Sequence, residues 1–332
     1  CLWLGSSNGD CAESLASVRA LCEAYVMVRW RFKAQDATIG VPPALLDELR
    51  WAGDRLLTQV DSALVAGAQQ TSPLASALAA VALAIPENKA YLDAARKLFD
   101  AAAADAATAA DPALTRALYI AVVDLATVTG DPALIDAAKQ RYLGPDAEAP
   151  ETTTRYDGSV DEMASGAFNV GKALAERADV LLALTGNPFG IPTQTGDDAK
   201  RFFGTPVAPT DGNTRYLLES ACTVSSAYRF TAKPEYKDLA VDQINWLLGN
   251  NPLGISLVEG LGTRTLPSYA TANGKATAGA VARGIGAKSA EIDAPNIDLS
   301  GNAAPDVNTN GVSVGDTVRL IEVIARLKRI RF

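Results

Sequence analysis

The chain has 332 residues, 48% of them apolar and 20% charged, with 30 Lys and Arg against 38 Asp and Glu and a net charge of −8. This is the composition of a globular protein with a substantial core, and the acidic balance argues against nucleic acid or an anionic membrane as the main partner. Histidine is absent, which excludes a His-based triad, His acid–base work and the commonest zinc site, so neither a metal nor a cofactor is expected.

The chain opens on Cys1 rather than Met. That start is expected of a matured protein, a lipoprotein among them, or of a segment of a longer chain. Cys1, Cys11, Cys22 and Cys222 form no CxxC pair. An even count permits a disulfide within the first three, while Cys22 and Cys222 sit in apolar helical patterns and read as buried thiols. Residues 11–31 read as a helix, with Leu15, Val18, Leu21, Cys22, Tyr25 and Val26 at three- and four-residue spacing. After a loop ending in Pro42-Pro43, a second helix is predicted over Leu45–Val60. Ser72-Pro73 is expected to open a third that runs to Ile85, and Pro86-Glu87 restarts the chain into Tyr91–Ala106. No apolar run approaches the roughly 18 residues of a spanning helix, so no transmembrane segment is expected.

The Ala-rich stretch that follows is ordered helix rather than linker, because its punctuation is regular. Asp111-Pro112 places a cap before a Pro at the first helical position, and Thr129-Gly130-Asp131-Pro132 ends one helix and caps the next. A polar linker is expected over 144–157. Helical pattern returns at Val160–Gly186, Asn213–Phe230 and Pro234–Leu248. From Gly249 to Val312 Gly, Pro and Asn crowd in, leaving about 60 irregular residues, the kind of long loop that is usually functional. Val314–Lys328 closes the chain as a last helix. About ten helices joined by short turns, with no repeat period at roughly 30 to 45 residues, favour an all-α toroid of helical hairpins over a solenoid. The predicted fold class is therefore an all-α (α/α) barrel with a long irregular segment before the last helix, in one domain over 1–332.

Three segments then resemble one family. They are VPPALLDELRWAGDRLLTQVD from Val41, DPALTRALYIAVVDLATVTGDPALIDAA from Asp111, and DQINWLLGNNPLGISLVEGLGTRTLP from Asp242. In order and spacing they are similar to segments of family 9 glycoside hydrolases, the inverting cellulases and their relatives. The resemblance implies a twelve-helix barrel of six hairpins, (α/α)6, whose first helix would lie upstream of Cys1. It also implies a two-carboxylate site, in which one group protonates the leaving oxygen and the other activates water about 6.5–9.5 Å away.

By the same resemblance the base comes from an early Asp-Ala-Gly-Asp motif, which aligns with Ser7-Asn8-Gly9-Asp10 and leaves Asp10 alone. The acid is the Glu of an Asn-Glu step that aligns with Asn310-Gly311, so Gly311 stands where the proton donor is expected. A sugar-binding His-His-Arg aligns with Ser268-Tyr269-Ala270. One further Asp is Ala44, beside Asp47 and Glu48, which read as helix-start charges. Asp157, Asp161, Glu162, Asp306 and Asp316 are other carboxylates near helix starts and read as solvated. Trp51 and Trp246 read as core. Trp3, Tyr269 and Asn310 are the candidate sugar contacts.

Loss of a general acid costs roughly 10²–10⁴-fold, and loss of the base a similar factor. The chain is thus expected to be a catalytically degenerate family-9-like protein, extracellular or at the cell surface, with polysaccharide or further copies of itself as partner. The alternatives are an inverting β-glucan hydrolase using Asp10 as base, and a glycan-binding module.

Overall fold

The computed structural model describes residues 15, 18–19, 21–23, 25–26, 43–105, 111–140, 170–196, 199–267, 278–300 and 306–328. The chain divides into two compact units, Cys1–Val170 and Gly171–Phe332.

In the first unit the described residues between 15 and 26 are helical, and Val18, Cys22 and Tyr25 are buried at the predicted spacing. Helix α1 (Pro43–Leu57) buries Leu49, Ala52 and Leu56. Trp51 falls off that stripe and is 48% exposed, so it is a surface ring and not the core residue its helical setting suggested. The helix expected to run on to Val60 stops at Leu57. Thr58 donates its hydroxyl to the Arg55 carbonyl at 2.7 Å, a local bond that competes with the helical ladder, and α2 (Val60–Ala66) starts afresh.

Helix α3 (Ala68–Ala84) is buried almost all round and packs against α4 (Lys89–Ala104) and α5 (Pro112–Thr129). Its many Ala residues permit that close approach. Pro73 lies inside α3 and does not open it. The cause is remote in sequence: the Asp105 carboxylate accepts the Ala68 N–H at 3.2 Å and starts the helix a turn earlier. Asn88 caps α4 by accepting the Ala90 N–H. Helix α5 ends at Gly130 with a positive φ of 64°, and Asp131 then caps α6 (Pro132–Gln140) by accepting the Ala133 N–H at 2.9 Å.

The second unit opens with α7 (Val170–Ala183), followed by the short antiparallel pair β1 (Gln194–Gly196) and β2 (Ala199–Arg201). Helix α8 (Thr214–Thr231) packs on α9 (Pro234–Leu247) and on the last helix, α11 (Val314–Lys328). Between α9 and α11 the chain is irregular as expected, but it is built. β3 (Val281–Ala282) pairs with β6 (Val312–Ser313), β4 (Gly286–Ala287) pairs with β5 (Pro295–Asn296), and α10 (Val307–Asn310) is a single turn. Ile255, Leu257, Val258, Val281 and Ile285 from this segment share one core cluster with Trp246 and Leu320. At about 1.5–3 kcal/mol for each large apolar side chain buried, they hold the segment to the helices.

The two units repeat one tie. Tyr91, the third residue of α4, donates to Asp54 of α1 at 2.6 Å, with the Arg50 carbonyl at 3.3 Å. Tyr236, the third residue of α9, donates to Asp179 of α7 at 2.7 Å, with the Ala175 carbonyl at 3.2 Å. In both, the second acceptor lies four residues before the Asp. The repeat is thus present in side-chain geometry where no sequence period shows it.

Candidate functional site

The motif after α9 is structural in every described detail. Gly249 takes φ 114°, a conformation that favours Gly, and turns the chain out of the helix. Asn251 is buried, and its amide donates to the Trp246 and Ile255 carbonyls at 2.8 and 2.7 Å. Its oxygen accepts the Leu253 and Ile255 N–H groups at 3.1 and 3.4 Å. One side chain therefore fastens the helix end to the loop. Trp246 is fully buried and ringed by Phe189, Phe202 and Phe203 at centroid distances of 5.3 to 6.2 Å, as its expected core role requires.

The segment before α11 carries the position assigned to the proton donor. Asp306 caps α10 by accepting the Asn308 N–H at 2.9 Å and is exposed, as a solvated helix-start acid should be. Asn310 is 1% exposed. It donates to the Pro267 and Asp298 carbonyls at 3.2 and 2.8 Å and accepts from the Asp298 N–H and the Thr309 hydroxyl at 3.2 and 2.9 Å. An amide has four such positions, and all are taken within the chain. Gly311 continues the lattice: its N–H donates to Val307 and its carbonyl accepts the Arg283 N–H at 2.8 Å. A Cβ placed on Gly311 would collide with the Val307 carbonyl oxygen and stand 3.1 Å from Val307 Cγ2. The backbone here has no room for a side chain of any kind.

Asp316, in the first turn of α11, is 5% exposed rather than solvated. Burial raises its carboxyl above the usual range, against the opposing pull of Arg319, Ser313, Arg215 and Arg283. On the same helix Arg319 meets Glu219 of α8 at 3.2 Å, and Arg215 meets Glu219 at 2.8 Å. Cys222 is wholly buried, and desolvation pushes its thiol up to about 12, so it is an inert packing group. Cys22 is likewise buried as a thiol. Asp47 is exposed and meets Arg50 at 3.5 Å, a helix-start ion pair as expected.

Trp3, Ser7, Asp10, Tyr269, Asp157, Asp161 and Glu162 lie outside the described residues. One residue escaped the sequence reading. Glu259 lines a cavity together with Ser256, Leu257, Leu266, Asn310 and Val312, the last two being the chain neighbours of Gly311. Its Oε2 is buried and meets no donor among the described residues. The available signal was a carboxylate in the Gly-rich loop, between Val258 and Gly260.

Comparison with known proteins now bears on this arrangement. The model of glycosyl hydrolase family 9 matches residues 17–278. The chain belongs to glycosyl hydrolase family 9. No curated protein matches it. A family 9 protein from Bacteroides ovatus shares its fold with TM-score 0.68 at 16% identity, over 95% of this chain and 69% of that one. A thermostable endoglucanase from Alicyclobacillus acidocaldarius, as its D468A variant, gives TM-score 0.70 at 19% identity over 96% and 73%. Endoglucanase CelQ from Clostridium thermocellum, solved with cellotetraose, gives 0.65 at 20% over 95% and 61%. These likenesses show the fold, the family 9 barrel of helical hairpins. Both segments that would carry the catalytic carboxylates, 7–10 and 310–311, fall outside the matched span. Among the described residues no helix is long and apolar enough to cross a membrane, and no group of three or more metal-ligating side chains forms.

Proposed function

We infer that this chain is a family 9 scaffold that no longer cleaves glycosides and acts outside the cell as a carbohydrate-binding or self-assembling structural component. The observation that carries the reading is the closed backbone at Gly311. A missing side chain could be an isolated substitution in an otherwise ready site, but a position with no space for Cβ has been rebuilt around its absence. The packing of Asn310 supports the same view, since its amide is spent on holding Pro267, Asp298 and Thr309 together. The extracellular setting follows from the family, and carbohydrate as ligand from relatives such as CelQ, whose structure holds cellotetraose.

The test is reducing-sugar release from β-glucans by the wild-type chain and by Asp10→Ala. The expected result is no turnover by either protein above the uncatalysed background. Sustained turnover that Asp10→Ala abolishes would overturn the reading in favour of an active inverting enzyme. Titration calorimetry with cello-oligosaccharides and native mass spectrometry then separate a glycan-binding role from self-assembly.

A further inference from the structure

Glu259 combines an unmet acceptor with a place in a cavity wall. Its Oε2 is buried, and among the described residues no N–H or O–H reaches it. The other polar side chains of the cavity lining are occupied. Ser256 Oγ donates to the Val258 carbonyl at 3.1 Å and accepts the Val258 N–H at 3.2 Å, and the Asn310 amide is complete. The remaining walls include Leu257, Leu266 and Val312. The space inside is about that of one water molecule or one hydroxyl group.

A buried acceptor without a donor is costly, and a donor that reaches it forms a charge-assisted bond. A metal ion needs several ligands, and among the described side chains of this lining Glu259 Oε2 is the one buried acceptor without a partner. An ammonium group brings three donors to a site that can use one. A hydroxyl matches both the volume and the single acceptor. We propose that Glu259 receives one hydroxyl of a saccharide beside the closed position 311, as an acceptor and not as a proton donor. The assignment rests on the carbohydrate-binding reading given above.

The experiment is titration calorimetry of the full chain with cellotetraose, comparing wild type, Glu259→Gln and Glu259→Ala, with melting curves to establish that all three fold. Glu259→Gln keeps the shape of the side chain and so remains informative if the Ala variant is unstable. Wild type is expected to bind, Glu259→Ala to bind roughly tenfold or more weakly, and Glu259→Gln to fall between, because a neutral amide oxygen accepts less strongly. Equal affinities in the three proteins would overturn the assignment and leave carbohydrate binding standing. No binding by wild type would remove both. Reducing-sugar release that Glu259→Gln abolishes would overturn it in favour of proton transfer.

Discussion

Restoring the family's acid should fail, and it should fail at the first carbon. Gly311→Ala already contains the offending atom, since its Cβ meets the Val307 carbonyl oxygen and lies 3.1 Å from Val307 Cγ2. Relief requires the 307–312 backbone to shift, which strains the bonds from Gly311 N–H to Val307 and from Arg283 N–H to the Gly311 carbonyl. Overpacking costs about 1–3 kcal/mol, and two weakened backbone bonds about 0.5–1.5 kcal/mol each, for a total of about 2–6 kcal/mol. In a unit of this size that lowers Tm by about 4–24 °C. Far-UV circular dichroism melts of wild type, Gly311→Ala and Gly311→Glu measure it. Both variants are expected to fall together, and Gly311→Glu to release no reducing sugar. A Gly311→Ala melt within about 1 °C of wild type would refute the claim that the backbone is closed. Turnover gained by Gly311→Glu would refute the larger claim that the site has been rebuilt.

Other residues give independent checks. Asn251→Ala removes a side chain with two donated and two accepted bonds in a buried setting, so a loss of about 2–4 kcal/mol is expected in chemical denaturation; a loss below about 1 kcal/mol would contradict the staple role. Burial raises the Asp316 carboxyl, so between its unfolded and folded values the folded state keeps a proton that the unfolded state releases, and stability falls as pH rises through that window. Asp316→Asn should therefore gain on wild type as pH rises above about 4, and a Tm difference independent of pH would count against it. The hydrogen bond from Tyr236 holds Asp179 below the usual carboxylate range, so its stabilisation is present at neutral pH and lost as pH falls through the lowered value. Tyr236→Phe should destabilise at neutral pH and converge on wild type in acid, and a constant offset would exclude the tie. Tyr91, raised to about 12 chiefly by burial and then by its bond to Asp54, should lose about 1 kcal/mol as Tyr91→Phe.

Local punctuation in the sequence is a good guide to this fold. Asp111 and Asp131 cap their helices as their Asp-Pro steps predict, and the last helix has the bounds read from its apolar spacing. The departures have causes that local pattern does not hold. Pro73 is carried inside α3 because Asp105 supplies the start from 37 residues away. Trp51 shares a helix with Leu49 and Ala52 but not their face. Asp316 is five residues from Gly311 and reads as one more helix-start acid, yet the packing of α11 on α8 buries it. Of the site, the Gly at 311 is read from the sequence through the family resemblance, while its enclosure is a matter of where the Val307 carbonyl points. Glu259 is visible only as a charge in a Gly-rich loop until the cavity gives it a direction.

The segment that carries the family resemblance most strongly is the one whose residues are spent on the scaffold. Trp246 fills the core, Gly249 turns the chain, and Asn251 binds the turn to the helix end. Losing any of them would be felt in stability, whether or not a sugar is ever cleaved. A side chain that only moves a proton has no such second duty. Asn310 and Gly311 put the two cases next to each other. The amide of Asn310 ties three parts of the chain and is present; at the next position, where the resemblance places a carboxyl, the backbone leaves no room for a Cβ. A recognisable scaffold is therefore weak evidence for the chemistry of its family. The decisive evidence is whether a carboxyl has room to reach a glycosidic oxygen, and beside position 311 the carboxylate of Glu259 lines a cavity of about one water, which suits an acceptor and not a proton donor.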